Sequence, residues 1–176
     1  MNPKELTYIV SLRACGQDYL LLWQDGGDAP DEYIVSPEAN LTLLTKTLDE
    51  LLSKARKLGL KVADQEPTTI DLDRLFRVLA ALRPNRRSSE RTCQLLLDGW
   101  NTIEDMARSV GVPLPETIDP ESLRMAYDKL FYGNNLPSVT PEGESYNPLF
   151  SSQERKEMRN YLRRLWQAVM ETTRQF

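Results

Sequence analysis

The hydrophobic pattern of this chain changes its period once, near residue 40, and that change limits the fold more than any other feature. Leu6, Tyr8, Val10 and Leu12 alternate with Thr7, Ile9, Ser11 and Arg13, the repeat of two that belongs to a strand. Cys15-Gly16-Gln17-Asp18 supplies a turn, and Tyr19-Leu20-Leu21-Leu22-Trp23 is a second, more uniformly apolar strand, so the two read as a β-hairpin. After the breakers Gly26, Gly27 and Pro30, Glu32-Tyr33-Ile34-Val35 makes a short third strand. A meander of this size needs its apolar face covered by another element.

The cover follows directly. Leu41, Leu44, Leu48, Leu51, Leu52, Ala55 and Leu58 recur at helical spacing and predict a helix over about 40–58, closed by Gly59. Leu60-Lys61-Val62 returns as a short strand, and Pro67 opens a loop. Asp71 or Asp73 then caps a helix that runs through Leu82 to Arg83-Pro84. Ser88 or Ser89 starts a longer helix with Cys93, Leu96, Leu97, Trp100, Ile103, Ala107 and Val110 on one face, stopped by Gly111 and by Pro113 and Pro115. Asp119-Pro120-Glu121 reads as N-cap, N1 and N2 of a helix bearing Leu123, Ala126, Tyr127, Leu130 and Phe131. A last helix over about 152–173 turns Met158, Leu162, Leu165, Trp166 and Val169 inward.

The pattern therefore predicts one α+β domain over 1–176. Residues 1–66 form a small N-terminal antiparallel sheet with one helix, and 67–176 form a mainly helical portion with a long loop near 133–150. Aperiodic connections of that length are often functional. Leu136, Val139, Tyr146 and Leu149 give this one something to bury, so it reads as an ordered loop presenting Asn134, Asn135 and Tyr146.

Composition enters where chemistry is concerned. Among 176 residues there is no histidine, which removes Ser-His-Asp and Cys-His catalysis, His-bearing zinc sites and imidazole pH switching. Cys15 and Cys93 are far apart, in no metal-type spacing, and no Walker loop, GxSxG or GxGxxG occurs. Asp98 and Asp105 sit two turns apart on the Trp100 helix, the one carboxylate pair that invites a cation or acid–base reading, yet no second motif completes it. Arg155, Arg159 and Arg163 alternate with Glu154 and Glu157 and read as a solvated helix face. The expectation is a non-catalytic protein with no cofactor and no metal. Lacking a signal-type leader and any apolar run of membrane length, it is expected in the cytoplasm.

Charge then suggests where a partner would bind. Residues 1–73 carry 13 acidic and 7 basic side chains, whereas 74–176 carry 13 and 15. The acidic excess peaks at Asp25, Asp28, Asp31 and Glu32, a segment without a cation, which would steer a basic partner. The alternative is a nucleic-acid-associated factor touching phosphates through Arg83, Arg86, Arg87 and Arg91.

One segment carries a family likeness. After a strand ending Ser11-Leu12-Arg13 and a Leu20-Leu21-Leu22-Trp23 strand comes a helix with Leu96, Leu97, Trp100, Asn101, Asp105 and Ala107. This order, and some 15 residues around Trp100, resembles small bacterial immunity proteins, the antidotes of polymorphic and contact-dependent growth-inhibition toxins. The resemblance implies a cytosolic, non-catalytic antitoxin-like inhibitor binding one toxin domain, and the acidic segment adds the expectation that this domain is basic.

Overall fold

The computed structural model describes residues 6–36, 41–42 and 44–174. It is α+β, with a small N-terminal mixed sheet and five helices. The described chain forms two compact units. One gathers Met1–Asp73, Thr102–Leu114 and Leu165–Phe176, and the other Arg74–Asn101 and Pro115–Arg164.

In the first unit, β1 (Leu6–Ala14) and β2 (Gln17–Gln24) form the expected hairpin, in register from Thr7↔Gln24 to Ala14↔Gln17. Cys15 and Gly16 make a two-residue turn with φ of 53° and 73°, the left-handed geometry that matches the twist of a hairpin. The Asp73 carboxylate accepts both turn amides, Cys15 N–H and Gly16 N–H, each at 2.8 Å. Asp73 therefore serves the hairpin turn from the first turn of a helix.

The expected all-antiparallel sheet is corrected to a mixed one. β3 (Glu32–Tyr33) pairs antiparallel with β2, but β6 (Lys61–Val62) and β7 (Thr68–Asp71) both run parallel to β1, one after the other along its length. The stretch after Pro67, expected as loop, is thus β7. The third strand is also shorter than 32–35. Val35 leaves the sheet, and β4 (Val35–Ser36) pairs with β5 (Leu41–Thr42) in a separate ribbon.

With partners on both edges, β1 is central and buried on both faces. Ile9 and Leu22 lie side by side and pack with Leu51 and Ala55, while Val10, Leu12, Ala14 and Leu21 are buried as well.

Helix α1 (Leu48–Lys57) starts later than the expected 40–58, of which residues 40 and 43 lie outside those described. Thr47 is its N-cap and accepts the Glu50 amide, so the run from Leu41 serves a strand first and a helix afterwards. Gly59, at φ 68°, closes α1 with Gly59 N–H to Arg56 O and Leu60 N–H to Ala55 O, a Schellman motif.

Helices α2 (Leu72–Ala81), α3 (Glu90–Ser109), α4 (Pro120–Gly133) and α5 (Ser152–Arg174) follow the expected order. Ser89, rather than Ser88, caps α3, and Asp119 caps α4 through the Ser122 amide and hydroxyl. Those bonds hold the Asp119 carboxyl below its ordinary pKa.

In the second unit, Trp100 packs on Tyr127 and Tyr161 at ring distances of 5.2 and 5.5 Å, and the Tyr127 hydroxyl donates to Asn101 at 3.0 Å. Cys93 is fully buried, and that burial, with Glu90 nearby, pushes its thiol up to about 11.

The reading of α5 as a solvated Arg/Glu face is corrected. Arg155 donates to Leu82 O, and Arg159 donates to Leu79 O and Ala80 O, so two guanidiniums satisfy carbonyls at the C-terminal end of α2 that no glycine cap serves. Glu154 and Glu157 are 3% and 2% exposed. Glu154 completes a capping box with Ser151, Ser151 N–H to Glu154 Oε2 and Glu154 N–H to Ser151 Oγ, and pairs with Lys129. Glu157 accepts from Gln153 on its own helix.

Candidate functional site

The first unit carries a recess of about 360 Å³ between the β2–β3 connection and the end of α3. Asp25, Asp31 and Glu32 line it from one side, and Arg108 and Ser109 from the other.

The connection is built rather than loose. Ala29 N–H donates to Gly26 O, Gly27 N–H to Asp25 Oδ1 at 2.7 Å and Gly26 N–H to Asp31 Oδ1 at 2.9 Å. Gly27 has φ 62°, and a Cβ on Gly26 would run into the carbonyls of Ala29 and Pro30, so both glycines are required by the backbone. Two of the four acidic side chains thus hold the loop. Asp28 and Glu32 are exposed, have no ion-pair partner among the described residues, and remain available.

The α3 side is set by Asp105, which is 9% exposed and ion-paired with Arg108. Burial pushes its carboxyl up to about 6, against the opposing pull of Arg108 and with help from Asp31 and Glu104. Ser109 ties the two walls together, its hydroxyl donating to Asp105 O at 2.6 Å and accepting Tyr33 N–H at 2.8 Å. The buried Tyr33 phenol is pushed up to about 12 by burial, against a hydrogen bond to Thr102. With Arg108 committed to Asp105 and standing 3.9 Å from Glu104, the recess presents an excess of negative charge. Sequence reasoning found its acidic wall. It missed Arg108 and Ser109 as the opposing wall, and Asp105 as the partner of Arg108, because nothing in a linear charge pattern brings residues 76 positions apart together.

Other expected site residues fare differently. Asn135 does not present its amide outward. Its Nδ2 donates to Gly133 O and Tyr146 O, and its Oδ1 accepts Tyr146 N–H at 2.6 Å, so it pins the 134–150 loop. Asn134 is the C-cap of α4. Tyr146 lines a shallow recess of about 310 Å³ with Tyr132 and Val139. The loop is tied to the start of α3, where Ser88 N–H donates to Pro148 O.

The four arginines of the alternative reading do not form one cluster. Arg83, Arg86 and Arg87 line one recess of about 220 Å³, whereas Arg91 lines another with Arg74 and Asp98. Arg87 also donates to Asn147 O.

Among the described residues no group of three or more His, Cys, Asp or Glu is arranged to hold a metal. Among the same residues no helix is long and apolar enough to cross a membrane. Compared with protein-family models, with curated proteins and with solved structures, the chain matches none.

Proposed function

We propose that this chain is a protein-binding module without catalytic activity, and that its acidic recess receives a basic side chain of a protein partner. The observation that carries this reading is the ordered acidic wall of Asp25, Asp31 and Glu32 around a recess of about 360 Å³. A guanidinium suits such a site because its fork pairs with planar carboxylates in two places. A loop already held by its own hydrogen bonds loses little conformational entropy on binding. The exposed Asp28 and Glu32 extend the negative field outward, which speeds encounter with a cationic surface. Joined to the resemblance around Trp100, this makes the proposed partner a toxin domain with a basic face, and the chain its antitoxin-like inhibitor.

The test is kinetic. Asp28→Ser and Glu32→Ser leave the loop hydrogen bonds intact. Association with a toxin encoded beside this gene should slow about tenfold at low salt and lose most of its salt dependence. An unchanged association rate removes the recess from the account, and purification alone, with no toxin gene adjacent, counts against the toxin assignment.

A second reading, contact with nucleic-acid phosphates, is favoured by Arg83 and Arg86, which have no ion-pair partner among the described residues. It requires affinity for an oligonucleotide that falls steeply with salt. No binding at low salt eliminates it.

A further inference from the structure

The recess at the start of α3 differs in chemistry from the acidic one. It is lined by Arg83, Arg86, Arg87, Ser88, Ser89 and Thr92, and α3 runs for 20 residues behind it. Within the first turn, the Ser89 hydroxyl and carbonyl accept the Thr92 amide, and the Ser89 carbonyl accepts Cys93 N–H. The amides of Glu90 and Arg91 have no intrahelical acceptor and belong to the positive end of the helix dipole. Arg83 and Arg86 are exposed and form no ion pair among the described residues.

Ser88 supplies an independent observation. It is 4% exposed and its amide donates to Pro148 O, but its hydroxyl has no hydrogen-bond partner among the described residues. A buried hydroxyl without a protein partner is rare in folded proteins, and its bonding is completed by ordered water or by a bound ion. Here the missing partner would be an acceptor of the Ser88 proton, in a recess that Arg83 and Arg86 line beside Ser89 and Thr92 at the start of α3. An anion with several acceptor oxygens meets all of these at once. The exposed Glu90 is the acidic side chain of this turn and opposes an anion, so two arginines are needed to outweigh it.

We propose that this recess binds a phosphate monoester, held by Arg83 and Arg86, by the first-turn amides of α3 and by the Ser88 hydroxyl. The dianionic terminal group fits a site with two cations and a helix N-terminus better than the singly charged diester of a nucleic-acid backbone. This site does not rest on the acidic recess; it shares Arg83 and Arg86 with the nucleic-acid reading and differs from it in the phosphate it binds.

The test is titration of the full chain with inorganic phosphate at fixed ionic strength, followed by calorimetry and by the amide resonances of Glu90 and Arg91. Saturable binding that chloride does not reproduce is expected. Affinity should fall more than tenfold in the Arg83→Gln/Arg86→Gln variant and about tenfold in Ser88→Ala. Free Ser88→Ala should be as stable as the parent, because the substitution removes an unpaired buried polar group. A 5′-phosphorylated oligonucleotide should bind and its dephosphorylated twin should not. No saturable binding overturns the proposal, as does binding indifferent to Ser88→Ala and to the arginine pair. Equal binding of the two oligonucleotides overturns the monoester assignment in favour of backbone diesters.

Discussion

The Lys129 ammonium lies 2.7 and 2.9 Å from the two carboxylate oxygens of Glu154, joining α4 to the first turn of α5. It also donates to Leu149 O at 3.0 Å, so one cation serves the buried carboxylate and the end of the long loop together. Removing one member of a buried pair strands the other charge away from water. Lys129→Met should cost about 3 kcal/mol in urea denaturation. The double variant Lys129→Met/Glu154→Gln should recover part of that loss, and a Lys129→Met chain as stable as the parent would show that the pair contributes nothing.

The hairpin turn offers a two-sided test. Cys15 holds a left-handed φ that asparagine tolerates better, so Cys15→Asn should raise stability by up to about 1 kcal/mol. Asp73→Ala deprives both turn amides of their acceptor and should lower it by about 1–3 kcal/mol. Thermal melts of the two variants should move in opposite directions.

Gly133 packs against Cys93. A Cβ there would stand 2.5 Å from the Cys93 sulfur and 3.0 Å from Pro148 Cδ. Gly133→Ala is expected to destabilise by about 1–3 kcal/mol despite the better helix propensity of alanine. Adding Cys93→Ala opens room, so the double variant should lose less than the two single losses combined.

Asp105 makes stability depend on pH in the direction opposite to an ordinary paired carboxylate. Its folded pKa, about 6, lies above the ordinary 3.8, so between those values the folded chain retains a proton that the unfolded chain has lost. Stability therefore declines as pH rises from about 4 to 6 through this group. Asp105→Asn removes the dependence, and its stability relative to the parent should improve between pH 4 and pH 7. A stability difference that stays flat with pH would contradict the raised value. The same titration should strengthen capture of a cationic partner above pH 6, when Asp105 carries charge.

Much of the fold is written in local signals. The hairpin follows from alternation and from Cys15-Gly16, and the ends of α1, α3 and α4 follow from Gly59, Ser89, Gly111 and Asp119. The parallel pairings were not legible, because β6 has two residues and β7 four, too few to show a period, and pairing with β1 is decided by the distant strand. Leu41 misleads for a physical reason, since a single leucine at helical spacing from Leu48 cannot show that the chain pairs as β5 before Thr47 caps α1. On α5 the alternation of Arg and Glu looks solvated, yet Ser151-x-x-Glu154 is a legible capping box, and it foretells that Glu154 turns back toward the chain. Half of the acidic recess was visible as a charge run. The other half depends on Asp105, whose heptad relation to Asp98 gives no hint that one is buried and the other exposed.

The first unit is assembled from three separated stretches, and this has a consequence for the order in which the protein is made. On an emerging chain, β1 and β2 leave the ribosome before the other stretches of this unit, with Val10, Leu12 and Leu21 among the side chains that end up buried. The stretches that complete this unit, beginning at Thr102 and Leu165, are made roughly 100 and 160 residues later. Part of the packing of the hairpin must therefore wait until those stretches have been made. Removing the residues from Leu165 onward should for that reason damage this unit more than their number suggests.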